Sequence, residues 1–428
     1  MTQRTHNKHP GPIRRRLRLL GKAVQFLSRL DGRGPHPIHE ASLNSSFHSL
    51  PLSQEPNPSI HSTLDIQSTL DIQSTLDIHS TLDMPDEQLA LVIPSKQATF
   101  AVAGRKIPQP GPGEVLVKLQ ATALNPSDVK IHKDGTSVDS YPAVLGTDGA
   151  GIVEEIGEGV TRFDPGERIF FHGACDDNDL ATFQQYCVVT TDFAAKVPRS
   201  LSLDQACTIA CGMGTAAIGM YGTINGIGLV PPWDRGGWSK YKGWPILIFG
   251  GAGSVGNYVI QLAKMSGFSP IITTASLKHT EHLKSIGANH VIDRYLSLPA
   301  LKQAVMKITG SRIHMMYDSI STAETQEAAW SLLAPGGKLV VTQPSLISKD
   351  AYDSRQVIPI NGSPQSDENW ETGKRLWAHL ERWVEDGHIR PNNVELLSGG
   401  LRAIPEALER FNAGKVDGVK MVVRPQET

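Results

Sequence analysis

Cysteine is scarce in this chain: four residues in 428, Cys175, Cys187, Cys207 and Cys211. None forms a C-x-x-C pair, and four scattered thiols make no disulfide framework, so they suit a reducing, cytoplasmic setting. Cys207 and Cys211 stand four apart on a predicted helix and share a face, which reads as two small buried hydrophobes rather than a metal pair. Net charge is also nearly missing. Lys and Arg number 41 against 43 Asp and Glu, a formal charge of −2, which argues against nucleic acid or a membrane surface as partner. No run of about 18 apolar residues occurs, so no segment is expected to span a bilayer. The length leaves room for roughly two or three domains.

What the chain does contain is a glycine cluster between two recognisable elements. Residues 246–249 are an apolar run, Ile-Leu-Ile-Phe, and Val255, Val259 and Leu262 then share one face of a helical pattern. Between them Gly251, Gly253 and Gly256 satisfy G-x-G-x-x-G, in the strand-to-helix context that a dinucleotide-binding turn requires. Gly251 is expected to make the tight turn, Gly253 to let the backbone approach a pyrophosphate, and Gly256 to bring helix and strand close. The N–H groups at the helix start, around Ser254 and Val255, together with the helix dipole, would hold the anion.

A second absence then narrows the cofactor. An NAD site places Asp or Glu at the end of the next strand, on the ribose 2′-OH. Here that strand, 270–274, leads to Ser276 and Lys278, with no acid before Glu281. A hydroxyl and an ammonium suit a 2′-phosphate, which a carboxylate would repel. NADPH is the expected cofactor, a solvated loop lysine being the plainer alternative for Lys278.

In chain order, residues 1–85 read as a disordered, low-complexity extension. The first thirty residues are basic, with Arg14, Arg15, Arg16 and Arg18 and no acid before Asp31. That resembles a mitochondrial presequence, but Pro10, Pro12 and the lack of serine before Ser28 weaken the likeness. Residues 62–84 repeat Ser-Thr-Leu-Asp-(Ile/Met) four times at a period of six, too short a stack to bury a core. Met84 is a natural start for the folded part. Residues 86–211 carry short strands and turns, including a strand at 115–119 and others between 149 and 171. The period turns helical at 204–221. Strands at 246–249, 270–274, 290–292, 314–318 and 338–342 then alternate with helices, the pattern of a doubly wound parallel sheet. Residues 212–343 are therefore assigned to a Rossmann domain. Helices at 370–386 and 403–413 and a last strand at 419–424 return residues 344–428 to the first, β-rich domain.

This order, with Asn125-Pro126-Ser127-Asp128-Val129-Lys130, residues 145–151 (Leu-Gly-Thr-Asp-Gly-Ala-Gly) and 250–256, resembles the medium-chain dehydrogenase/reductase superfamily. The resemblance implies an α/β protein whose GroES-like catalytic domain wraps around a Rossmann domain. Within the superfamily, the Asn-Pro-x-Asp-x-Lys loop, the helix at 212–217 and Pro231-Pro232-Trp233 look like fungal trans-acting enoyl reductases, which serve polyketide synthases or hybrid synthases. Quinone reductases share several of these words. Zinc-dependent members carry Gly-His-Glu where this chain has Gly146-Thr147-Asp148, and a cysteine near Asn125. Without those soft ligands no metal is expected. His172 beside Cys175 is read as a polar surface residue rather than half of a ligand pair.

A reductase without metal must polarise its substrate through hydrogen bonds. The resemblance places the loop of Ser127, Asp128, Val129 and Lys130 at the nicotinamide, and makes Lys130 the first candidate for oxyanion stabiliser or proton relay; a structural Lys130–Asp128 pair is the alternative. Thr215 is the second catalytic candidate, against a simple helix-capping role. By the same resemblance Thr215, Ala216, Ile218 and Tyr221 line the substrate, Tyr295 packs beside the adenine, and Val419 and Lys420 close toward the cofactor. The expected activity is NADPH-dependent reduction of an enoyl thioester tethered to a synthase carrier protein, with the loop at 225–244 as a docking edge. The alternatives are a stand-alone quinone or enone reductase and a nucleotide-binding protein without turnover.

Overall fold

The computed structural model describes residues 86–428 apart from Asp139, Lys349 and Ala351. The expected disorder, leader and hexapeptide repeat of residues 1–85 lie outside the described residues. Eight strands come first: β1 (Glu87–Ile93), β2 (Ala101–Lys106), β3 (Glu114–Ala123), β4 (Ala143–Val144), β5 (Asp148–Ile156), β6 (Arg168–His172), β7 (Tyr186–Thr190) and β8 (Ala194–Lys196). A helix, α1 (Pro126–Asp134), interrupts them after β3. Its start is readable in the chain: Pro126 occupies the first turn, and the Asp128 carboxylate reaches back to accept from the Asn125 N–H at 2.7 Å. Gly135, at φ 65°, ends it.

A short helix, α2 (Leu203–Ala206), and α3 (Ala210–Tyr221) lead to the second sheet. There β9 (Ile246–Phe249), β10 (Ile271–Ala275), β11 (His290–Asp293), β12 (Ile313–Asp318), β13 (Leu333–Val341) and β14 (Gln356–Pro359) pair in the order β11-β10-β9-β12-β13-β14, every pairing parallel. All four residues of β9 are buried, as expected of a central strand covered on both faces. The helices α4 (Ser254–Ser266), α5 (Thr280–Ile286), α6 (Leu298–Thr309) and α7 (Ala323–Leu332) connect the strands. This is the doubly wound order, and its reversal between β9 and β12 opens a crevice at the carboxyl ends of the strands. The sheet runs past the boundary expected at residue 343, because β14 adds a sixth strand at 356–359.

The chain then returns. α8 (Trp370–Glu385) buries Leu376, Trp377, Leu380, Trp383 and Val384, one apolar stripe at helical spacing. After β15 (Val394–Leu396) and α9 (Ile404–Asn412), β16 (Lys420–Val423) pairs antiparallel with β3, Val422 opposite Ala123. The β-rich sheet therefore has the order β15-β16-β3-β5-β6-β8, with β7 also on β3. First and last segments share one sheet around the parallel one, as the returning pattern implied.

Candidate nucleotide and substrate site

The glycine cluster sits at the end of β9, and Gly251 has a different role from the one expected. Gly250, not Gly251, makes the turn: its φ is 80°. A Cβ on Gly251 would lie 2.2 Å from Thr273 Oγ1, so that glycine serves packing between β9 and β10. Gly256 brings helix and strand together, since a Cβ there would lie 2.3 Å from the Gly250 carbonyl oxygen. Gly253 caps α4, and among the described residues a Cβ on it would meet only the Gly250 oxygen, at 3.3 Å. The first intrahelical bond runs from Asn257 N–H to Gly253 O at 2.9 Å, so the N–H groups of Ser254, Val255 and Gly256 precede it. These groups fit a pyrophosphate. The Ser254 hydroxyl turns instead to Asn392, at 3.0 Å.

A cavity of about 390 Å³ extends along the carboxyl ends of the strands, lined by Gly253, Ser276, Arg294, Glu324 and Asp417 among others. Ser276 lies on the cavity wall. Lys278, half out in solvent, forms an ion pair with Asp417 at 2.7 Å, and His279 Nε2 meets the other oxygen of the same carboxylate at 2.8 Å. Lys278 and His279 together hold the Asp417 pKa below the usual carboxylate range. Tyr295 is largely exposed; its hydroxyl accepts from Arg294 at 2.6 Å, and the Arg294 guanidinium lies over its ring. The cavity is lined by Arg294 and Leu296 on either side of it, so Arg294 and Asp417 are contributors that the sequence reading missed.

On the other side of the crevice, Lys130 projects from α1 and its ammonium donates to Gln343 Oε1 at 3.3 Å. Gln343 lies two residues beyond β13, so Lys130 reaches the carboxyl edge of the parallel sheet. The alternative Lys130–Asp128 pair is not formed. Thr215 is not a helix cap: α3 starts at Ala210, and the Thr215 hydroxyl donates to the Cys211 carbonyl one turn back at 2.8 Å. Its side chain packs against Gly362, where a Cβ would come within 2.5 Å of Oγ1. Residue 362 follows β14, so both catalytic candidates stand near the ends of adjacent strands.

Beneath them lies a buried polar junction. Asp148 opens β5, accepts the Cys211 N–H at 2.6 Å and the Asn125 side-chain amide at 2.9 Å, and pairs with the Lys420 ammonium at 2.8 Å. Lys420 also donates to Asn125 Oδ1 at 2.5 Å. Burial pulls the Lys420 pKa down, but Asp148 and the other acids around it outweigh burial, and the net shift is upward. Burial pushes Asp128 up to about 7, against the Asn125 N–H and Lys420, and it leaves Oδ1 without a partner. His172 is buried, not on the surface, and burial lowers its pKa to about 4.

Several expected contacts are thereby corrected. The side chains of Asp128, Val129 and Lys420 are turned into the protein, Lys420 being spent on Asp148 and Asn125. Ser127 is exposed on the first turn of α1, and Val419 is half-buried beside the junction. Ala216, Ile218 and Tyr221 are core residues rather than a substrate wall. The Tyr221 hydroxyl bonds Ser266 at 2.7 Å between α3 and α4, and its ring meets Trp233 edge-on. The donors for a zinc ion do not fit either. Asn125 and Thr147 offer an amide and a hydroxyl, Asp148 is committed to Lys420, and among the described residues no group of three metal-ligating side chains forms.

A β-rich sheet wrapped around a doubly wound sheet, with a glycine cradle at the switch point, defines an alcohol dehydrogenase-type oxidoreductase with a nicotinamide-cofactor site. Comparison with known proteins agrees. The model "Alcohol dehydrogenase GroES-like domain" matches residues 111–199, and "Zinc-binding dehydrogenase" matches residues 254–361. A trans-enoyl reductase of Pyricularia oryzae is 30% identical over 348 residues, covering 75% of this chain and 93% of that one. The enoyl reductase component of the lovastatin nonaketide synthase of Aspergillus terreus is 27% identical over 361 residues, 79% and 97% of the two chains. The solved structure of an alcohol dehydrogenase superfamily protein from Novosphingobium aromaticivorans superposes with a TM-score of 0.66 at 22% identity, over 79% and 99% of the chains. The chain belongs to the trans-enoyl reductase family, within the medium-chain dehydrogenase/reductase superfamily. Among the described residues no helix is long and apolar enough to cross a membrane.

Proposed function

We propose that this protein is a trans-acting enoyl reductase that uses NADPH to reduce the α,β-double bond of a polyketide thioester. The acyl chain is carried by a polyketide synthase or hybrid synthase, with the reductase working beside it in the cytoplasm. The observation that carries the reading is the pairing of the glycine cradle with Lys130, whose ammonium reaches across to Gln343 at the carboxyl edge of the same sheet. NADPH, when bound, supplies a hydride for the β-carbon of the substrate. Gly253 and the first N–H groups of α4 bind its pyrophosphate, and Ser276 and Lys278 receive the 2′-phosphate. Charge then develops on the thioester oxygen as an enolate. The Lys130 ammonium, bonded to Gln343 just beyond β13, and the Thr215 hydroxyl, packed on Gly362 just beyond β14, hold that oxygen. Thr215 gives up its bond to Cys211 to do so. A proton delivered to the α-carbon, relayed through Lys130, completes the reduction.

The relatives named as trans-enoyl reductases support this substrate class. The test is to incubate the purified protein and NADPH with a panel of enoyl thioesters on a carrier protein, and separately with free quinones. Thioester reduction, seen as loss of reduced-nicotinamide absorbance with formation of the saturated acyl chain, is the expected result. Turnover of quinones alone would replace this reading with that of a stand-alone quinone reductase.

A further inference from the structure

The segment after β10 offers no acid until Glu281, yet the fold brings one there from 138 residues beyond His279. Asp417 belongs to the link between α9 and β16, outside the parallel sheet. Its carboxylate bridges Lys278 Nζ at 2.7 Å and His279 Nε2 at 2.8 Å, while the residue itself lines the same cavity as Ser276. The contact is held from behind. Gly418 follows at φ 71°, and a Cβ on it would fall 2.3 Å from the His279 ring. Only a glycine lets the link pass this close to the imidazole.

We infer that Asp417 is a specificity-determining residue: its carboxylate is an internal stand-in for the 2′-phosphate and competes with it for Lys278 and His279. The inference rests on the reading of NADPH as cofactor. Two physical points support it. A carboxylate and a phosphate use the same kind of charge-assisted bond to an ammonium and an imidazole, so one can replace the other. Lys278 is 62% exposed and Asp417 33%, and an ion pair so open to solvent is cheap to break. When the phosphate enters, Asp417 must leave the pair or sit against a like charge. Either way the parent protein binds a 2′-phosphorylated nucleotide less tightly than Lys278 alone would allow. A nucleotide with a bare 2′-OH carries no such charge and is spared this penalty.

The experiment is a fluorescence titration of NADPH and of NADH against the full chain, the Asp417→Asn variant and the Lys278→Ala variant. Asn keeps the size of Asp417 and a hydrogen-bond acceptor, so the link to β16 is preserved. Asp417→Asn is expected to tighten NADPH about tenfold and move NADH less than twofold. Lys278→Ala is expected to weaken NADPH about tenfold, again with little change for NADH. In the combined variant the gain from Asp417→Asn shrinks, because the lysine it sets free is gone. The inference is overturned if Asp417→Asn weakens NADH selectively, which would make Asp417 a ribose 2′-OH ligand, or if both nucleotides shift alike. Because binding is read without turnover, failure to reduce any enoyl thioester leaves the result standing. A parent protein that favours NADH, with a variant that favours NADPH, would correct the cofactor reading and uphold the role of Asp417.

Discussion

Asp128 and His172 are both buried near the Asp148–Lys420 pair, and burial moves their pKa values in opposite senses, Asp128 up to about 7 and His172 down to about 4. The raised carboxyl favours the fold while protonated. Its contribution is complete below its ordinary value of 3.8 and is lost as the pH climbs through about 7. The lowered imidazole favours the fold while neutral, so its contribution holds above 6.5 and is lost as the pH falls toward 4. Each spans roughly 3–4 kcal/mol, and in the parent they offset one another. Urea denaturation across this range should therefore separate the two. Relative to the parent, Asp128→Asn gains stability as pH rises, and His172→Gln gains it as pH falls; pH-independent differences would show that neither group is held as described. At this scale the sequence was informative where partners are local, as in the Asn125–Asp128 turn. It missed Asp417, misread His172 as a surface residue and gave Asp148 no partner, because the partners of all three lie far away in the chain.

Helices and strands were legible wherever the apolar period was long. The run at 246–249 is β9 to the residue, and the expected helix at 370–386 is α8 shortened by one position. The glycine motif shows the limit of such reading. Its place between strand and helix was plain, but which glycine turns depends on φ, 80° at Gly250, and on distant neighbours: Ile320 and Thr273 lie where a Cβ on Gly250 or Gly251 would sit. The element-scale prediction follows from the space around each position. Gly253→Ala should lose nucleotide affinity while moving the denaturation midpoint far less than Gly256→Ala, since its Cβ would meet the Gly250 oxygen at 3.3 Å rather than 2.3 Å. Gly256→Ala should lose both affinity and stability, at a cost of about 1–3 kcal/mol, because the new methyl strikes backbone that cannot yield. Thermal denaturation with nucleotide titration distinguishes the two outcomes, and equal destabilisation would contradict the packing described.

Across the whole molecule, the returning last strand was visible in the sequence, while the reason it docks where it does was not. Lys420 carries β16's charge to Asp148, and through it to Asn125 before α1 and to Cys211 in the first turn of α3. The helices bearing Lys130 and Thr215 are thus tied at one buried point. Lys420→Met should cost about 3–5 kcal/mol in urea denaturation by stranding the Asp148 charge, and adding Asp148→Asn should restore part of it. A loss below about 1 kcal/mol would mean that the junction is not what holds these segments. The most direct measurement is the enoyl thioester activity of Lys130→Ala. Lys130 is exposed and makes one long hydrogen bond, so its removal should leave the denaturation midpoint unchanged. A fall in kcat/KM on the order of a hundredfold is expected if its ammonium steadies the enolate. A folded variant reducing the thioester at the parental rate would contradict that role.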